Sequence, residues 1–299
     1  MDINYELYKV FYCVAISLSF SEASKQLFIS QSAVSQSIKT LERKLDSKLF
    51  QRSTKKVSLT PEGEMLFKHV EPAMNLIRHG EKQLLESNSL NGGQLRIGAS
   101  DTICRYYLVP YLNEFHQKYP NVHVKVMNQT SLKCVELLTT GQVDLVIINH
   151  PNAALNDTIN VKELKKFQDV FLGGEKYATI SKEAISLKEL QKHPILMLDR
   201  KSTTSEFLHQ IFQRHHLDLA PEIELSSNDL LLDLARIGFG IAFVPDFCIP
   251  KDSKDLFLIS TLETLPSREL VVAYSNNIPL SVIAQEFLIQ LQEKQIKTH

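Results

Sequence analysis

The spacing of apolar residues changes near residue 94, and this change limits how the chain can fold. Before it, apolar residues recur every three or four positions, as at Leu7, Phe11 and Val14, which is typical of one face of a helix. After it, short β-rich runs such as Leu95–Ala99 alternate with segments of helical spacing such as Ile103–Tyr119. The sequence therefore predicts a helical N-terminal unit followed by an α/β unit with mostly parallel strands.

The second and third predicted helices form a helix-turn-helix. Ser21 is the predicted N-cap of a short helix, and Ser30 that of a longer helix ending at Leu45. Two short extended pieces follow, at 48–51 and 56–59, on either side of a basic tip. Short helix, tight turn, longer helix and hairpin together predict a winged helix-turn-helix.

Charge is unevenly distributed along the chain. Residues 1–60 carry nine Lys or Arg and five Asp or Glu, a net +4, whereas the whole chain has a formal charge of −1. The remaining residues therefore carry −5. Seven of the nine basic residues lie between Lys39 and Lys56. Because phosphate binding depends on the local field, the near-neutral total does not exclude nucleic acid as a partner.

The start of the longer helix carries the candidate DNA contacts, because a helix-turn-helix presents that end to base edges in the major groove. Its hydroxyl and amide side chains can bond bases or phosphates: Ser30, Gln31, Ser32, Ser35 and Gln36. Basic side chains are assigned to phosphates: Lys39, Arg43, Lys55 and Lys56. Arg52 is open to a minor-groove or a phosphate contact. Taken alone, this polar helix is equally compatible with a solvated face.

A further helix is predicted from Pro61 to Ser87, with Thr60 as its N-cap. Its apolar residues follow a heptad-like spacing suited to pairing with another helix: Leu66, Val70, Ala73, Ile77 and Leu84. Pro72 lies inside it and predicts a kink or a local end to hydrogen bonding. A polar linker, Asn88–Gly93, follows.

Residues 1–87 resemble the winged helix-turn-helix and linker helix of the LysR-type transcriptional regulators. The resemblance runs without gaps through these residues: Phe11, Val14, Ser19–Ser21, Ala23, Leu27, Ser30–Ser35, Ile38, Leu41–Glu42, Leu45, Leu49–Arg52 and Leu59–Gly63. The family usually has proline where Ser32 stands and arginine where Gln36 stands. Since that arginine commonly contacts DNA, Gln36 leaves the usual contact open and favours an A·T pair instead.

The rest of the chain resembles the family more loosely, at Gly98–Ser100, Val109–Leu112, Gly141–Leu145 and Gly238–Pro245. The resemblance implies an α/β effector domain shaped like a periplasmic binding protein, with two subdomains. The expected limits are 1–60 for the DNA-binding domain, 61–89 for the linker and dimerisation helix, and 90–299 for the effector domain. Within the last, subdomain I takes 94–162 and 267–299, and subdomain II takes 163–266.

The resemblance also places an effector site where strands of such sheets end and helix N-termini begin. Hydroxyl and amide residues stand at these points: Ser100, Thr102, Thr130, Ser131, Asn149, Ser202, Thr203 and Thr204. Any one of these hydroxyls is better explained as an ordinary helix cap. Three such clusters on strands that converge in this fold favour a pocket that tolerates an anion. Phe239 is a candidate apolar wall, although a place in the core is as compatible with its setting.

The sequence lacks the motifs typical of metal sites, disulfide frameworks and enzyme active sites. No His or Cys spacing indicates a metal site or a disulfide framework, and no nucleophile elbow, phosphate loop or dinucleotide fingerprint occurs. Isolated Cys104 or Cys134 could sense oxidants only if its thiol pKa were low. Neither an enzyme nor an exported solute-binding protein with a helical leader is supported, since catalytic groups and a signal peptide are not found.

We therefore expect a cytoplasmic, sequence-specific regulator that binds double-stranded promoter DNA. Its ligand would be a small co-inducer of unknown identity, with no cofactor and no membrane partner. The resemblance implies a homodimer formed through the linker helix, and a tetramer built as a dimer of dimers. It also implies that effector binding between the two subdomains changes the angle between dimers and the bend of the DNA.

Overall fold

The computed structural model describes residues 3–52, 57–85, 92–250 and 253–297. The chain divides into two compact units, Met1–Ser87 and Asn88–His299. Across the described ranges, no helix combines the length and the apolar character needed to cross a membrane.

The N-terminal unit is a winged helix-turn-helix, as predicted. Helices α1, α2 and α3 surround a core in which Phe11, Val14, Val34, Ile38 and Leu41 are fully buried. A two-stranded antiparallel hairpin and a long helix follow. The elements are α1 Tyr5–Ser17, α2 Phe20–Leu27, α3 Gln31–Leu45, β1 Phe50–Arg52, β2 Val57–Leu59 and α4 Pro61–Leu85.

Serine caps set where the short helices begin. The Ser30 hydroxyl accepts the Ala33 N–H at 3.2 Å, which confirms the predicted start of α3. The prediction for α2 was wrong: Ser19, not Ser21, is its cap and accepts the Glu22 N–H at 3.2 Å. The earlier start brings Phe20 into the helix, where its side chain is buried in the core. Burial of this ring decides between two serines that have the same capping chemistry.

Helix α4 begins where the sequence predicts and contains Pro72, as expected. Thr60 caps it by accepting the Gly63 N–H at 3.0 Å, and the helix continues past Pro72 to Leu85. Its apolar residues also serve two surfaces. Val70 is buried in the core of its own winged domain, whereas Ile77 and Leu84 are mostly exposed. Only the second half of the predicted seam is therefore open to another helix.

In the parts of the C-terminal unit that the structure describes, the strands form two five-stranded sheets. The first has the strand order β4 His123–Asn128, β3 Gln94–Ala99, β5 Leu145–His150, β12 Arg268–Ser275 and β6 Ile159–Phe167. The second has the order β11 Phe257–Ile259, β7 Asp169–Gly173, β10 Ile241–Pro245, β8 Ile195–Leu198 and β9 Ile223–Leu225.

Helices cover these sheets. They are α5 Asp101–Ile103, which continues through a π-helical segment Cys104–Leu108 into α6 Val109–Lys118, then α7 Ser131–Thr139, α8 Leu187–Leu190, α9 Thr203–Arg214, α10 Asn228–Arg236 and α11 Val282–Lys297. Each sheet has a large apolar cluster of its own, around Phe115 and Phe287 in the first and around Phe212 and Phe243 in the second.

Each sheet is mixed, but four of its five strands run in one direction, so the expectation of mostly parallel strands is confirmed apart from one reversed strand in each sheet, β12 in the first and β7 in the second. Strand β3 runs parallel to β4 and β5, and β8 runs parallel to β9 and β10. Strand β12 is antiparallel to β5 and β6, and β7 is antiparallel to β10 and β11. The parallel pairs come from strand–helix–strand units, whereas the antiparallel pairs include the strands beside the points where the chain changes sheet.

The chain crosses between the sheets twice. It leaves the first sheet at the end of β6, which runs past residue 162 to Phe167, and enters the second at Asp169. It returns through residues 260–267 and rejoins the first sheet at Arg268. The two crossings therefore bring Asp169 and Arg268 to the junction of the sheets.

Candidate functional sites

Helix α3 presents a polar face beside its buried one. Val34, Ile38 and Leu41 point into the core and are fully buried. The candidate DNA contacts occupy the rest of the helix surface, where all but the partly buried Ser35 are exposed: Gln31, Ser32, Ser35, Gln36, Lys39 and Arg43. The helix thus gathers these side chains on a surface available to a duplex.

The Ser30 hydroxyl already has protein partners. Besides capping α3, its Oγ lies 2.8 Å from Ser32 Oγ, so the two hydroxyls form a pair at the start of the helix. Lys55, Lys56 and the Arg52 side chain, which complete the predicted set, lie outside the residues that the structure describes.

The β1–β2 hairpin is the wing of this domain, and the buried carboxylate of Glu42 on α3 holds its first strand. Glu42 is 7% exposed and accepts the Leu49 N–H at 2.9 Å and the Phe50 N–H at 3.3 Å. Its other oxygen lies 3.3 Å from Lys48 Nζ. A Cβ at Gly63 would overlap the Leu49 carbonyl, so glycine is required where α4 passes the same segment. The sequence motif contains Glu42, but its spacing did not show this anchoring role.

A cavity of about 430 Å³ lies between the two sheets of the C-terminal unit. It opens at the carboxyl ends of β3, β5, β8 and β10, where an α/β protein binds its ligands. Its lining residues are Ser100, Asp101, Thr102, Ile103, Asn128, Gln129, Thr130, Ser131, Asn149, Leu198, Asp199, Ser202, Thr203, Thr204, Ser226, Ser227, Asn228, Pro245 and Phe247.

Eight of the nine candidate effector residues line this cavity. They are Ser100, Thr102, Thr130, Ser131, Asn149, Ser202, Thr203 and Thr204. Phe239 does not line it, so the expectation that its ring forms an apolar wall of this cavity was wrong. Phe239 precedes β10, whereas Pro245 at the other end of that strand lines the cavity. Its ring is 49% exposed, so it is not a core residue either.

Hydroxyl caps from both subdomains converge on the cavity. Ser100 accepts the Ile103 N–H at 3.3 Å, and Thr130 accepts the Lys133 N–H at 3.3 Å. From the second subdomain, Ser202 accepts the Ser205 N–H at 3.0 Å, and Ser227 accepts the Leu230 N–H at 3.4 Å. A capping hydroxyl acts as acceptor and still has its own proton to donate. Capping and ligand binding are therefore compatible roles for these residues.

Two asparagine–threonine contacts cross the cavity. Asn228 on α10 donates to Thr102 at 2.8 Å, and Asn149 at the end of β5 donates to Thr203 at 3.4 Å. Both asparagines are at least nine-tenths buried, and the side-chain oxygen of each has no partner within the described residues. A ligand with hydrogen-bond donors would satisfy these oxygens.

Arg268 supports the cavity from behind. It is 1% exposed, and its Nη1 lies 2.8 Å from an oxygen of the fully buried Asp169. Its guanidinium also donates to the hydroxyls of Thr204 and Thr203, each at 3.1 Å. This network joins both chain crossings to two residues that line the cavity.

Sequence reasoning missed one of the four hydroxyl-bearing clusters that line the cavity. Ser226, Ser227 and Asn228 line it together, directly after β9 and at the start of α10. The signal was present, because the sequence predicts a strand at Glu222–Leu225 and a helix at Asn228–Ile237 on either side of these serines, the same pattern that identified the other three clusters. Two carboxylates, Asp101 and Asp199, also line the cavity and were not predicted.

The cysteines are buried or partly buried thiols. Burial raises the pKa of Cys104 to about 11 and that of Cys134 to about 12. Burial likewise raises the pKa of Cys13 and Cys248. Since the thiolate is the reactive species, these values oppose oxidant sensing by Cys104 or Cys134. Within the part of the chain that the structure describes, His, Cys, Asp and Glu side chains form no group of three suited to a metal ion.

Comparison with known proteins covers both units. Residues 5–64 match the family model described as bacterial regulatory helix-turn-helix protein, lysR family, and residues 88–295 match the LysR substrate binding domain. A probable RuBisCO transcriptional regulator of Trichormus variabilis is 31% identical over 253 residues, which cover 82% of this chain and 74% of the relative.

Solved structures have the same fold. A full-length OxyR variant from Pseudomonas aeruginosa has a TM-score of 0.71 at 18% identity, covering 99% of this chain and 95% of that one. The regulatory domain of Synechocystis CcmR in complex with 2-PG has a TM-score of 0.62 at 24% identity, covering 68% of this chain and 97% of that one. The winged helix-turn-helix, the two-sheet domain and both family matches agree, and the chain belongs to the LysR family of transcriptional regulators, DNA-binding proteins controlled by a small-molecule effector.

Proposed function

We propose that the cavity between the two sheets is the effector site of this regulator, and that its ligand carries a carboxylate or phosphate group together with hydrogen-bond donors. One observation carries the proposal: hydroxyl-capped helix N-termini from both subdomains converge on a single cavity. Helix N-termini favour anions through their free N–H groups and their dipoles. The 2-PG bound to the related CcmR domain supports a small molecule as the ligand.

The donors of the ligand would face the remaining acceptors of the cavity. Asn149 and Asn228 offer side-chain oxygens, and Asp101 and Asp199 offer carboxylates. Among its lining residues the cavity has no Lys, Arg or His, so the helix N-termini would bind the anionic group without a side-chain cation. A cavity with helix N-termini for an anion and side-chain acceptors for donors favours a hydroxy acid, an amino acid or a hydroxylated phosphate over an apolar ligand.

On the DNA side, the exposed face of α3 would read base edges. We assign base contacts to Gln31, Ser35 and Gln36, and phosphate contacts to Lys39 and Arg43, because amides bond bases and cations bond phosphates best. Ser30 and Ser32 would contribute through their paired hydroxyls. We place the reading domain at 1–60, the linker helix at 61–89 and the effector domain at 90–299.

Two copies of the chain would pair through α4. Met65, Ile77 and Leu84 on this helix are 66%, 55% and 77% exposed, an apolar surface that pairing would cover. A dimer would place two recognition helices on one duplex, and a dimer of dimers would extend the site. The protein would act in the cytoplasm, on the chromosome, and without catalysis, in keeping with relatives that are transcriptional regulators.

Thermal-shift measurements with small carboxylates, amino acids and phosphorylated metabolites, 2-PG included, test the effector site. A ligand present at about 100 times its dissociation constant adds about 2.7 kcal/mol to the stability of the protein, enough for a clear shift in Tm. Thr130→Ala should reduce that shift, because the variant lacks a hydroxyl at the cavity. Its DNA binding without ligand should stay near that of the wild type.

Ser186→Ala is the matched control for loss of a cap. The Ser186 hydroxyl caps α8 by accepting the Glu189 N–H at 3.1 Å, but it does not line the cavity. Both variants should lose about 1 kcal/mol of stability from the missing cap, while only Thr130→Ala loses response to the ligand. If the two variants respond equally to a ligand that shifts the wild type, the cavity is not the effector site.

A further inference from the structure

Phe28 is a large aromatic residue that the protein leaves in water. It lies in the turn between α2 and α3, and its side chain is 95% exposed. Its backbone has φ of +55°, in the left-handed region that bulky residues rarely adopt. The residue therefore combines an unfavourable backbone with an unfavourable surface.

The turn itself explains the backbone but not the side chain. The Phe28 N–H donates to the Lys25 carbonyl at 3.3 Å, and the Ile29 N–H donates to the Ser24 carbonyl at 3.1 Å. These two bonds form a Schellman motif that ends α2, and its left-handed position is usually glycine or asparagine. Either residue would make this turn with less strain.

The Phe28 ring gains no burial from the other residues of its own unit. Phe28 belongs to neither the buried nor the partly buried members of the N-terminal core, and no ring or cation contact involves it among the described residues. Leu18 offers a comparison within the same unit: it ends α1 at φ of +46° but is only 43% exposed. Strain that is not balanced by packing is expected where a residue contacts a partner.

The position of Phe28 indicates which partner. It precedes the α3 cap by two residues, and Gln31 and Ser32 follow on the exposed start of the same helix. Phe28 therefore lies beside the exposed start of α3, the end of the helix that the proposed function directs into the major groove. In that groove, the apolar group available to an aromatic side chain is the 5-methyl group of thymine.

We propose that Phe28 packs against a thymine methyl group at the edge of the half-site and contributes to sequence specificity. This inference rests on the proposed function of α3 as the reading helix. It adds an apolar contact to a surface otherwise composed of hydroxyls, amides and cations. It also explains why the chain keeps phenylalanine at a position where glycine or asparagine would be less strained.

A double-mutant cycle tests the proposal: the Phe28 ring and the thymine methyl groups are removed separately and then together. The probe is a duplex selected from randomised DNA by the full-length wild-type protein, prepared once with thymine and once with uracil throughout. Phe28→Asn should weaken binding to the thymine duplex by about three- to thirty-fold, the range expected for two groups in contact. On the uracil duplex, where the methyl groups are missing, the variant and the wild type should bind alike.

The Tm of Phe28→Asn and the binding of a matched variant, Leu18→Asn, distinguish a lost DNA contact from misfolding. Asparagine tolerates the left-handed conformation, so Phe28→Asn should raise the Tm of the protein by a few degrees while it weakens binding. Leu18→Asn makes the same type of change at another left-handed cap and should leave the dependence of binding on thymine at the wild-type level.

Three results would overturn the inference. Equal weakening by Phe28→Asn on both duplexes would mean that the ring contacts no methyl group. Unchanged binding of the thymine duplex by Phe28→Asn would mean that the ring makes no contact with DNA. Failure of the wild-type protein to select any duplex would reject the proposed function as a whole, and this outcome is distinct from the other two.

Discussion

Arg268 shows how much a single side chain can do at the junction of two sheets. Its guanidinium is buried, is paired with a buried carboxylate of Asp169, and donates to two threonines of the cavity. Arg268→Met would leave that carboxylate buried without its cation. Breaking a buried pair in this way costs about 3–5 kcal/mol, so we expect a loss of that size in urea unfolding followed by circular dichroism.

The double variant Arg268→Met, Asp169→Leu is the control. It replaces both charges by apolar groups of similar size, and such replacements are often neutral in stability. Most of the loss should therefore be recovered, although the hydroxyls of Thr203 and Thr204 would still lack their donor. A single variant within about 1 kcal/mol of the wild type would show that the pair contributes little to stability.

The limits of sequence reasoning also appear at the level of residues. The candidate hydroxyls of the cavity could be found because each follows a strand and begins a helix, which is a local pattern. The Arg268–Asp169 pair joins positions 99 residues apart, and no local pattern relates them. Phe239 was misplaced for the converse reason. The glycines on either side of it, Gly238 and Gly240, make the segment locally distinctive, yet it precedes β10 and lies at the opposite end of that strand from the cavity.

The recognition helix is the element that the sequence predicted best. Its cap, its apolar face and its end at Leu45 were all read from spacing, because a helix on a domain surface has one buried stripe. Replacing Gln31 and Ser35 together by alanine should reduce discrimination between the selected duplex and a mismatched one. The expected loss is about 1–3 kcal/mol for each bidentate base contact removed.

Competition gel shifts with matched and mismatched duplexes measure that loss. Gln26→Ala, which changes an exposed glutamine on α2, serves as the control and should keep the wild-type preference. Retention of full preference by the Gln31 and Ser35 double variant would contradict the assignment of base reading to these residues.

Other elements were harder to predict for physical reasons. Strand β6 was not predicted, because four of its nine residues are charged and hide the spacing typical of a strand: Lys162, Glu163, Lys165 and Lys166. What buries the strand is its pairing with β12 at the edge of the sheet. Helix α4 was predicted with the right start, but its spacing could not show that Val70 packs on its own domain. In both elements the deciding contact is with a distant part of the chain.

At the scale of the whole molecule, the separation of charge is the feature that bears on function. Residues 1–60 carry +4 and the remainder carries −5, so the field that attracts DNA belongs to one end of the chain. The same separation holds for the two compact units: Met1–Ser87 carries a net +2, because the linker helix adds −2, and Asn88–His299 carries −3. A fragment from residue 90 to the C-terminus should therefore show no affinity for DNA.

The intact protein should instead bind DNA with a strong dependence on salt. Each phosphate neutralised by a Lys or Arg adds about −0.9 to the slope of log affinity against log salt concentration, so several contacts lower affinity steeply between low and physiological salt. Gel shifts of the intact chain and of the fragment, at two salt concentrations, measure both effects. Since the fragment keeps every residue that lines the cavity, it should still gain thermal stability from any ligand that binds there in the intact protein. Binding of DNA by the fragment would show that the acidic part of the chain also contacts the duplex, and the assignment of DNA binding to the N-terminal unit alone would then be wrong.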